Sequence, residues 1–340
     1  MKAIAALFAS VLLPALAVAA PNITQVAYTE DGYLEIRGSG FGSKSPVLPL
    51  VWMDFEPGNS SALSRLDPTT PIGGTAIADP DRQGNRVLLF DASSWQSSGG
   101  PRGAIFESNR LYINLQRYYR FAINNPDLLG SSGGGGLNLK VIRLWTGFTQ
   151  PHVNNIYFGY QGKEGLASGR IAAEYTGVQT NWTGDTAAQK PFSWLNEEFF
   201  YQASDIDQEN GVFQYVRDGV AARARLERHR TSERPNRYRQ LWFDQVSNYN
   251  LPNPLEILYD NIYVDETYAR VLVTNSPTPG QYQWAKMQIP VEWRDDFIRA
   301  KAELDGLASP QVYLYVFNAQ NQTQNQGFRL CPRCPKPPVM

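Results

Sequence analysis

Apolar and polar residues alternate over short stretches along most of the chain. In segment 34–37 (Leu-Glu-Ile-Arg) the two kinds of residue take turns, and a period of two places them on opposite faces of a β-strand. The glycine-rich segment 38–42 then ends the strand, because glycine tolerates positive φ angles. This pattern predicts a strand followed by a turn.

Strand-like runs of this kind recur along most of the remaining chain. They are segments 86–90, 111–115, 137–145, 155–160, 199–204, 212–216, 220–230, 257–264, 269–273, 285–289 and 311–318. Turns rich in Gly, Asn and Asp separate them, and long helical periodicity is missing. One segment, 294–304, fits a short helix but also a loop and a strand. The sequence therefore predicts an all-β protein.

The first 19 residues predict an export signal. Lys2 supplies a positive start, residues 3–16 are apolar, and residues 17–19 (Ala-Val-Ala) form a small-x-small cleavage site. The apolar stretch is too short to span a bilayer, and no second run of spanning length follows it. We expect a mature chain without a membrane span that works outside the cytoplasm, in the periplasm, in the medium or at the cell surface.

Charge and cysteine usage narrow the classes of partner. The chain has 31 Lys and Arg against 32 Asp and Glu in 340 residues, so no overall field favours nucleic acid or a membrane surface. The only cysteines, Cys331 and Cys334, lie in the Pro-rich tail 331–340. After export we expect them to form a disulfide with a small loop, because a zinc site needs further ligands and the chain has only 2 histidines. The oligomeric state stays open.

Segment 32–42 (Gly-Tyr-Leu-Glu-Ile-Arg-Gly-Ser-Gly-Phe-Gly) resembles the opening of an IPT/TIG domain, an immunoglobulin-like sandwich. Such a sandwich needs about 100 residues, and segments 286–290 and 312–316 resemble its later strands. The resemblance implies a discontinuous sandwich of residues 20–50 and 266–330 that is interrupted by residues 51–265, since insertion at a loop is tolerated where its ends lie close together. Two consecutive sandwiches with a decorated edge are the alternative.

The interrupting part carries a second resemblance. Segments 52–58 and 259–265 resemble the first and last strands of concanavalin A-like jelly-roll domains, which include carbohydrate-binding modules, lectins, glucanases and polysaccharide lyases. The resemblance implies a jelly-roll sandwich at 51–265. It also implies a structural Ca²⁺ held by Glu56 and Asp260, because carboxylate oxygens suit this ion; two surface acids are the alternative. A sandwich fold hosts many functions, so any activity must be argued from a site.

Two arrangements of charged residues are candidates for catalysis. Asp205, Asp207 and Glu209 have the alternating spacing of the carboxylates of retaining glucanases, but an Asn-Gly turn signal follows at once and favours an exposed turn. The run 220–230 places the following residues on one strand face: Arg223, Arg225, Glu227 and His229. Elimination from a uronate needs a cation and a base, for which Arg225, His229 and Tyr238 are candidates. A solvated outer face without substrate fits the same pattern.

Aromatic side chains are the other candidates, because a ring stacks on the apolar face of a sugar. Six of them lie on or beside predicted strands of the jelly roll: Trp145, Tyr157, Tyr160, Trp182, Trp194 and Tyr201. Most are expected to fill the core. Trp182 has the strongest case because it is set in the polar segment 180–185, which we interpret as a loop.

Together these patterns favour a secreted protein that binds a polysaccharide on the concave face of the jelly roll. The near-neutral chain can still attract an acidic polysaccharide through a local patch at Arg223 and Arg225, with Trp182, Tyr157 and Trp145 as stacking residues. An extracellular lyase acting on a uronate polymer is one alternative, and a structural or adhesive surface protein is another.

Overall fold

The computed structural model describes residues 19–56, 65, 75–91, 102–121, 137–147, 154–162, 168–173, 178–183, 192–246, 255–304 and 311–330. Every regular element within these ranges is a β-strand, which confirms the all-β prediction. Within the same ranges there is no helix long and apolar enough to cross a membrane. The segment 294–304 accordingly holds a strand, not the helix that its sequence also fitted.

The strands follow one another in this order. The first seven are β1 (Asn22–Tyr28), β2 (Tyr33–Ser39), β3 (Val51–Met53), β4 (Thr75–Ala78), β5 (Arg86–Asp91), β6 (Arg102–Ile105) and β7 (Arg110–Phe121). The next seven are β8 (Leu137–Trp145), β9 (Asn155–Gly162), β10 (Ser168–Ala173), β11 (Val178–Thr183), β12 (Trp194–Gln202), β13 (Gly211–Arg217) and β14 (Val220–Glu227). The last seven are β15 (Gln240–Val246), β16 (Leu255–Asp265), β17 (Arg270–Thr274), β18 (Ala285–Trp293), β19 (Phe297–Lys301), β20 (Val312–Phe317) and β21 (Phe328–Leu330).

Two sheets form a sandwich from the middle of the chain. An eight-stranded sheet has the order β14-β13-β12-β7-β16-β5-β4, with β3 also paired to β16, and a six-stranded sheet has the order β11-β10-β9-β8-β15-β6. One apolar core joins them: Ile113, Leu115 and Phe199 of the larger sheet belong to the same buried cluster as Ile156 and Phe158 of the smaller. Alternation along each strand therefore leaves a second set of side chains on the outer face of each sheet.

A third sheet combines the two ends of the chain. Its order is β1-β2-β19-β18-β17-β20-β21, so strands before residue 40 pair with strands after residue 269. Leu34 and Ile36 share a buried cluster with Val271, Val273 and Leu314. The sheet thus draws on the two segments that flank the sandwich, while its resemblance to an IPT/TIG domain stays a prediction.

The seven-stranded sheet packs on the outer face of the eight-stranded sheet. Tyr112 and Phe200 of the larger sandwich sheet belong to one buried cluster with Leu272, Met287 and Tyr315 of the terminal sheet. Much of this outer face is therefore covered by protein. The outer face of the six-stranded sheet lies on the opposite side of the sandwich, where the terminal sheet does not reach.

Candidate functional site

The outer face of the six-stranded sheet carries cations and aromatic rings. In β8 the side chains of Ile142 and Leu144 enter the core, so that of Arg143 points outward. Arg143 pairs with Tyr157 of β9, and the next outward pair is Trp145 with Asn155. Trp242 of β15 lies on the other side of Arg143. We call the following residues the cationic–aromatic face: Lys140, Arg143, Trp145, Asn155, Tyr157 and Trp242.

A β-bulge brings Lys140 onto this face. The register between β8 and β9 shifts between Lys140 and Ile142, so that Lys140 lies opposite Gly159. An extra residue in one strand reverses the alternation from that point on. The Nζ atom of Lys140 lies 5.2 Å from the centre of the Tyr157 ring.

The guanidinium of Arg143 lies near two rings and is held by an amide. Its central carbon lies 3.9 Å from the Trp145 ring and 5.8 Å from the Tyr157 ring. Its Nε–H donates to Oδ1 of Asn155 over 2.9 Å. Trp145 in turn contacts Trp242, with ring centres 6.0 Å apart and planes inclined by 57°. Two cations and three aromatic rings thus form one connected group.

Little of this group reaches solvent. Lys140 is 5% exposed, Arg143 6% and Tyr157 3%, whereas Trp242 is partly exposed. Charges shielded from water interact more strongly with an opposite charge than charges in bulk solvent do. The face is therefore suited to bind a planar anion such as a carboxylate, for which a guanidinium has matching geometry.

The lyase candidates predicted from the sequence do not form a surface site. His229 is fully buried, and its ring stacks on Tyr201 with centres 5.6 Å apart. Tyr238 is also buried, and its hydroxyl donates to the backbone oxygen of His229 over 3.1 Å. The two do lie in contact, but as part of the sandwich core. Neither side chain lies on the outer surface of a sheet, so the structure does not support this assignment, which stays a prediction.

The cationic strand predicted at 220–230 is three residues shorter in the structure, where β14 spans Val220–Glu227. β14 ends at Glu227, so His229 does not share the strand face of the two arginines. Arg223 pairs with Tyr215, and Arg225 pairs with Phe213, at the edge of the eight-stranded sheet. The side chains of both arginines lie outside the described residues, so their part in binding stays a prediction.

Trp182 lies in a strand and not in a loop. It belongs to β11, at the edge of the six-stranded sheet, and pairs with Gly169. Its polar neighbours misled the prediction, because threonine and asparagine also occur on exposed edge strands. The indole lies outside the described part, as do both tail cysteines, Cys331 and Cys334.

The acids expected to hold calcium have other partners. The Oδ2 atom of Asp260 accepts from Arg82 over 2.8 Å and from Asn85 over 3.1 Å. Oε1 of Glu56 accepts from the backbone N–H of Arg86. The described residues hold no group of three or more His, Cys, Asp and Glu side chains that could bind a metal ion. This donor set does not fit calcium, because the guanidinium of Arg82 already neutralises Asp260.

The alternating acids at 205–209 lie on an exposed turn before β13, as their Asn-Gly signal indicated. Asp207 has a positive φ of 59° and accepts from the backbone N–H of Ser232. The carboxylates of Asp205 and Asp207 accept hydrogen bonds from Asn210 and Ser232 and so stabilise this turn.

Comparison with protein-family models and with curated proteins finds no match. Among solved structures, the chain is similar to the alginate lyase Aly36B, with 11% identity, a TM-score of 0.44, and coverage of 64% of this chain and 97% of that one. It is also similar to the marine PL-14 alginate lyase from Aplysia kurodai, with 11% identity, a TM-score of 0.42, and coverage of 64% and 98%. For an endo-beta-1,4-glucuronan lyase from the fungus Trichoderma reesei the identity is 9%, the TM-score 0.39, and the coverage 58% and 88%. Similarity at this level assigns no role to any residue of the chain.

Proposed function

We propose that the protein is active on an acidic polysaccharide and cleaves it by elimination on the cationic–aromatic face. One observation carries this proposal: Lys140 and Arg143 both lie near the Tyr157 ring, at 5.2 and 5.8 Å from its centre. A polymer substrate also agrees with the export signal, because a long polysaccharide is met outside the cytoplasm. We keep secretion or export to the periplasm as part of the proposal.

Elimination from a uronate needs three groups, and this face supplies them. A cation neutralises the carboxylate at C6, a role that suits Arg143. A base removes the proton at C5, and the phenolate oxygen of deprotonated Tyr157 is our candidate, which becomes the neutral hydroxyl in this step. The C4–O4 bond then breaks, a double bond forms between C4 and C5, and the departing oxygen takes a proton, for which Lys140 is the candidate donor. The elimination itself consumes no water.

The first experiment measures turnover. The mature protein is mixed with alginate, glucuronan or polygalacturonate, and the ultraviolet absorbance of the unsaturated product is followed. We expect Tyr157→Phe to lower the rate by about 10²–10⁴-fold, with polymer binding retained. Tyr118→Phe is the matched control, because Tyr118 is a similarly buried tyrosine on the outer face of the other sheet. Equal rates for wild type and Tyr157→Phe would overturn the assignment of the base.

Binding without cleavage is the second candidate, and the partly exposed Trp242 beside Trp145 supports it, because paired indoles form a stacking surface for sugar rings. In this case the polymer slows the protein in affinity electrophoresis, but no absorbance develops. Arg143→Met and Trp242→Ala should each weaken retention, and added salt should weaken it further. A protein that neither retains nor cleaves any acidic polymer would contradict both candidates and favour a structural role.

A further inference from the structure

Asn155 contacts the guanidinium of the cationic–aromatic face from within the sheet. It is the first residue of β9, it is fully buried, and it lies directly opposite Trp145. Its Oδ1 accepts the Nε–H of Arg143 over 2.9 Å. A buried guanidinium requires partners for its N–H groups, and the amide of Asn155 provides one of them.

The start of β9 is itself fixed from the core. The backbone N–H of Asn155 donates to Oδ1 of Asn154 over 2.9 Å, and Nδ2 of Asn154 donates to the backbone oxygen of His229 over 3.2 Å. The backbone N–H of Asn154 donates to Oγ1 of Thr146, one residue beyond the end of β8. This chain of hydrogen bonds links the buried His229 to the outer face. It limits the positions that the Asn155 amide can take.

Arg143 is therefore restrained in two directions. Contact with the Trp145 ring, whose centre lies 3.9 Å from the guanidinium carbon, restricts movement toward that ring. The hydrogen bond from Nε to Asn155 restricts rotation within that plane. A planar group held in both ways presents a fixed edge to a carboxylate, which lowers the entropy lost on binding.

We infer that Asn155 is a positioning residue that holds Arg143 in the orientation in which it binds the carboxylate of a polyuronate. The inference rests on the proposed function of the same face. Asn155 acts only through Arg143, so its effect on binding must disappear when Arg143 is absent. A residue that merely supports the fold would weaken binding in either background.

A double-mutant cycle with alginate and polygalacturonate as probes tests this. Asn155→Leu should weaken binding, or raise KM, by about tenfold or more, as expected for loss of a hydrogen bond to a charged group. In the Arg143→Met background the same substitution should change binding by less than about twofold, within the usual error of additivity. Asn155→Ala takes the place of the leucine variant if the larger side chain prevents folding.

Asn114→Leu is the matched control, because Asn114 is also a fully buried amide but lies on the outer face of the eight-stranded sheet. It should lower the melting temperature and leave polymer binding unchanged. A second readout needs no ligand: hydrogen exchange at Nε of Arg143, observed by NMR, should speed up in Asn155→Leu and not in Asn114→Leu. Unchanged exchange, or equal loss of binding in both Arg143 backgrounds, would overturn the positioning role. If exchange changes but wild-type protein binds no acidic polymer, the proposed function fails, and with it the purpose of this restraint.

Discussion

A buried ion pair joins the N-terminal segment to the end of β16 in the sandwich, and its removal tests how the terminal sheet is attached. Lys44 follows β2 and Asp265 ends β16, and neither side chain is exposed. Oδ2 of Asp265 accepts from Lys44 and from the Tyr263 hydroxyl, and Oδ1 accepts from the backbone N–H of Glu266. Burial lowers the pKa of Lys44 and raises the pKa of Asp265, so each charge depends on the other.

Lys44→Met removes the cation and leaves Asp265 buried with a hydroxyl and one backbone N–H. Removing one partner of a buried pair costs about 3–5 kcal/mol. With a slope of about 3 kcal/mol per M of urea, the unfolding midpoint should fall by about 1 M or more. Lys44→Met combined with Asp265→Asn removes both charges, and the amide oxygen that replaces the carboxylate can still accept from Tyr263. We therefore expect the double variant to recover about 2 kcal/mol relative to the sum of the single effects.

Urea unfolding followed by tryptophan fluorescence measures these differences. Arg294→Met is the control, because its partner Glu292 lies 3.5 Å away and both side chains are largely exposed. Loss of an exposed pair changes stability by about 1 kcal/mol at most. The reasoning is refuted if Lys44→Met costs no more than Arg294→Met, or if the Lys44 and Asp265 effects add within about 0.5 kcal/mol.

Further predictions concern a turn, a buried acid, a metal and the tail. Gly219 and Gly84 have φ angles of 75° and 81°, but only at Gly219 would a Cβ lie 2.7 Å from a backbone oxygen; Gly219→Ala should therefore lower the melting temperature more than Gly84→Ala, and equal shifts would contradict the packing described. Burial raises the pKa of Asp260 from 3.8 to about 6, so the protonated form favours the folded state, and the contribution of Asp260 to the free energy of unfolding should fall as the pH rises from about 4 to about 6. About two pKa units at about 1.4 kcal/mol each amount to about 3 kcal/mol, and Asp260→Asn should abolish this fall. Chelation with EDTA should leave the melting temperature unchanged, because the donor set at Glu56 and Asp260 does not fit calcium. If a bound ion did stabilise the fold, its removal by EDTA would lower the melting temperature. Thiol titration of exported protein should find Cys331 and Cys334 unreactive, whereas two free thiols would argue against the disulfide.

The fold class follows from local pattern alone. Alternating runs such as 34–37 and 111–115 admit only one arrangement that buries their apolar side chains, namely a strand with one face on a core. The segment 294–304 was ambiguous because it is short, and pairing of β19 with β2 and β18 decided in favour of a strand. Partners that lie more than 250 residues apart in sequence do not appear in any local window.

The candidate site was decided by tertiary structure. Tyr157 and Trp145 were predicted from the sequence because an aromatic ring on any strand is a candidate for stacking on a sugar. Lys140 and Arg143 were not, since an odd spacing of three places them on opposite faces of a regular strand, and only the bulge before Ile142 brings them together. His229 lies elsewhere than its pattern predicted, for the converse reason. Its place in an alternating run suggested an outer face, but β14 ends at Glu227 and the chain turns the histidine into the core. Composition and periodicity determined that this is an all-β chain; the register between strands, which depends on long-range packing, determined which charges meet.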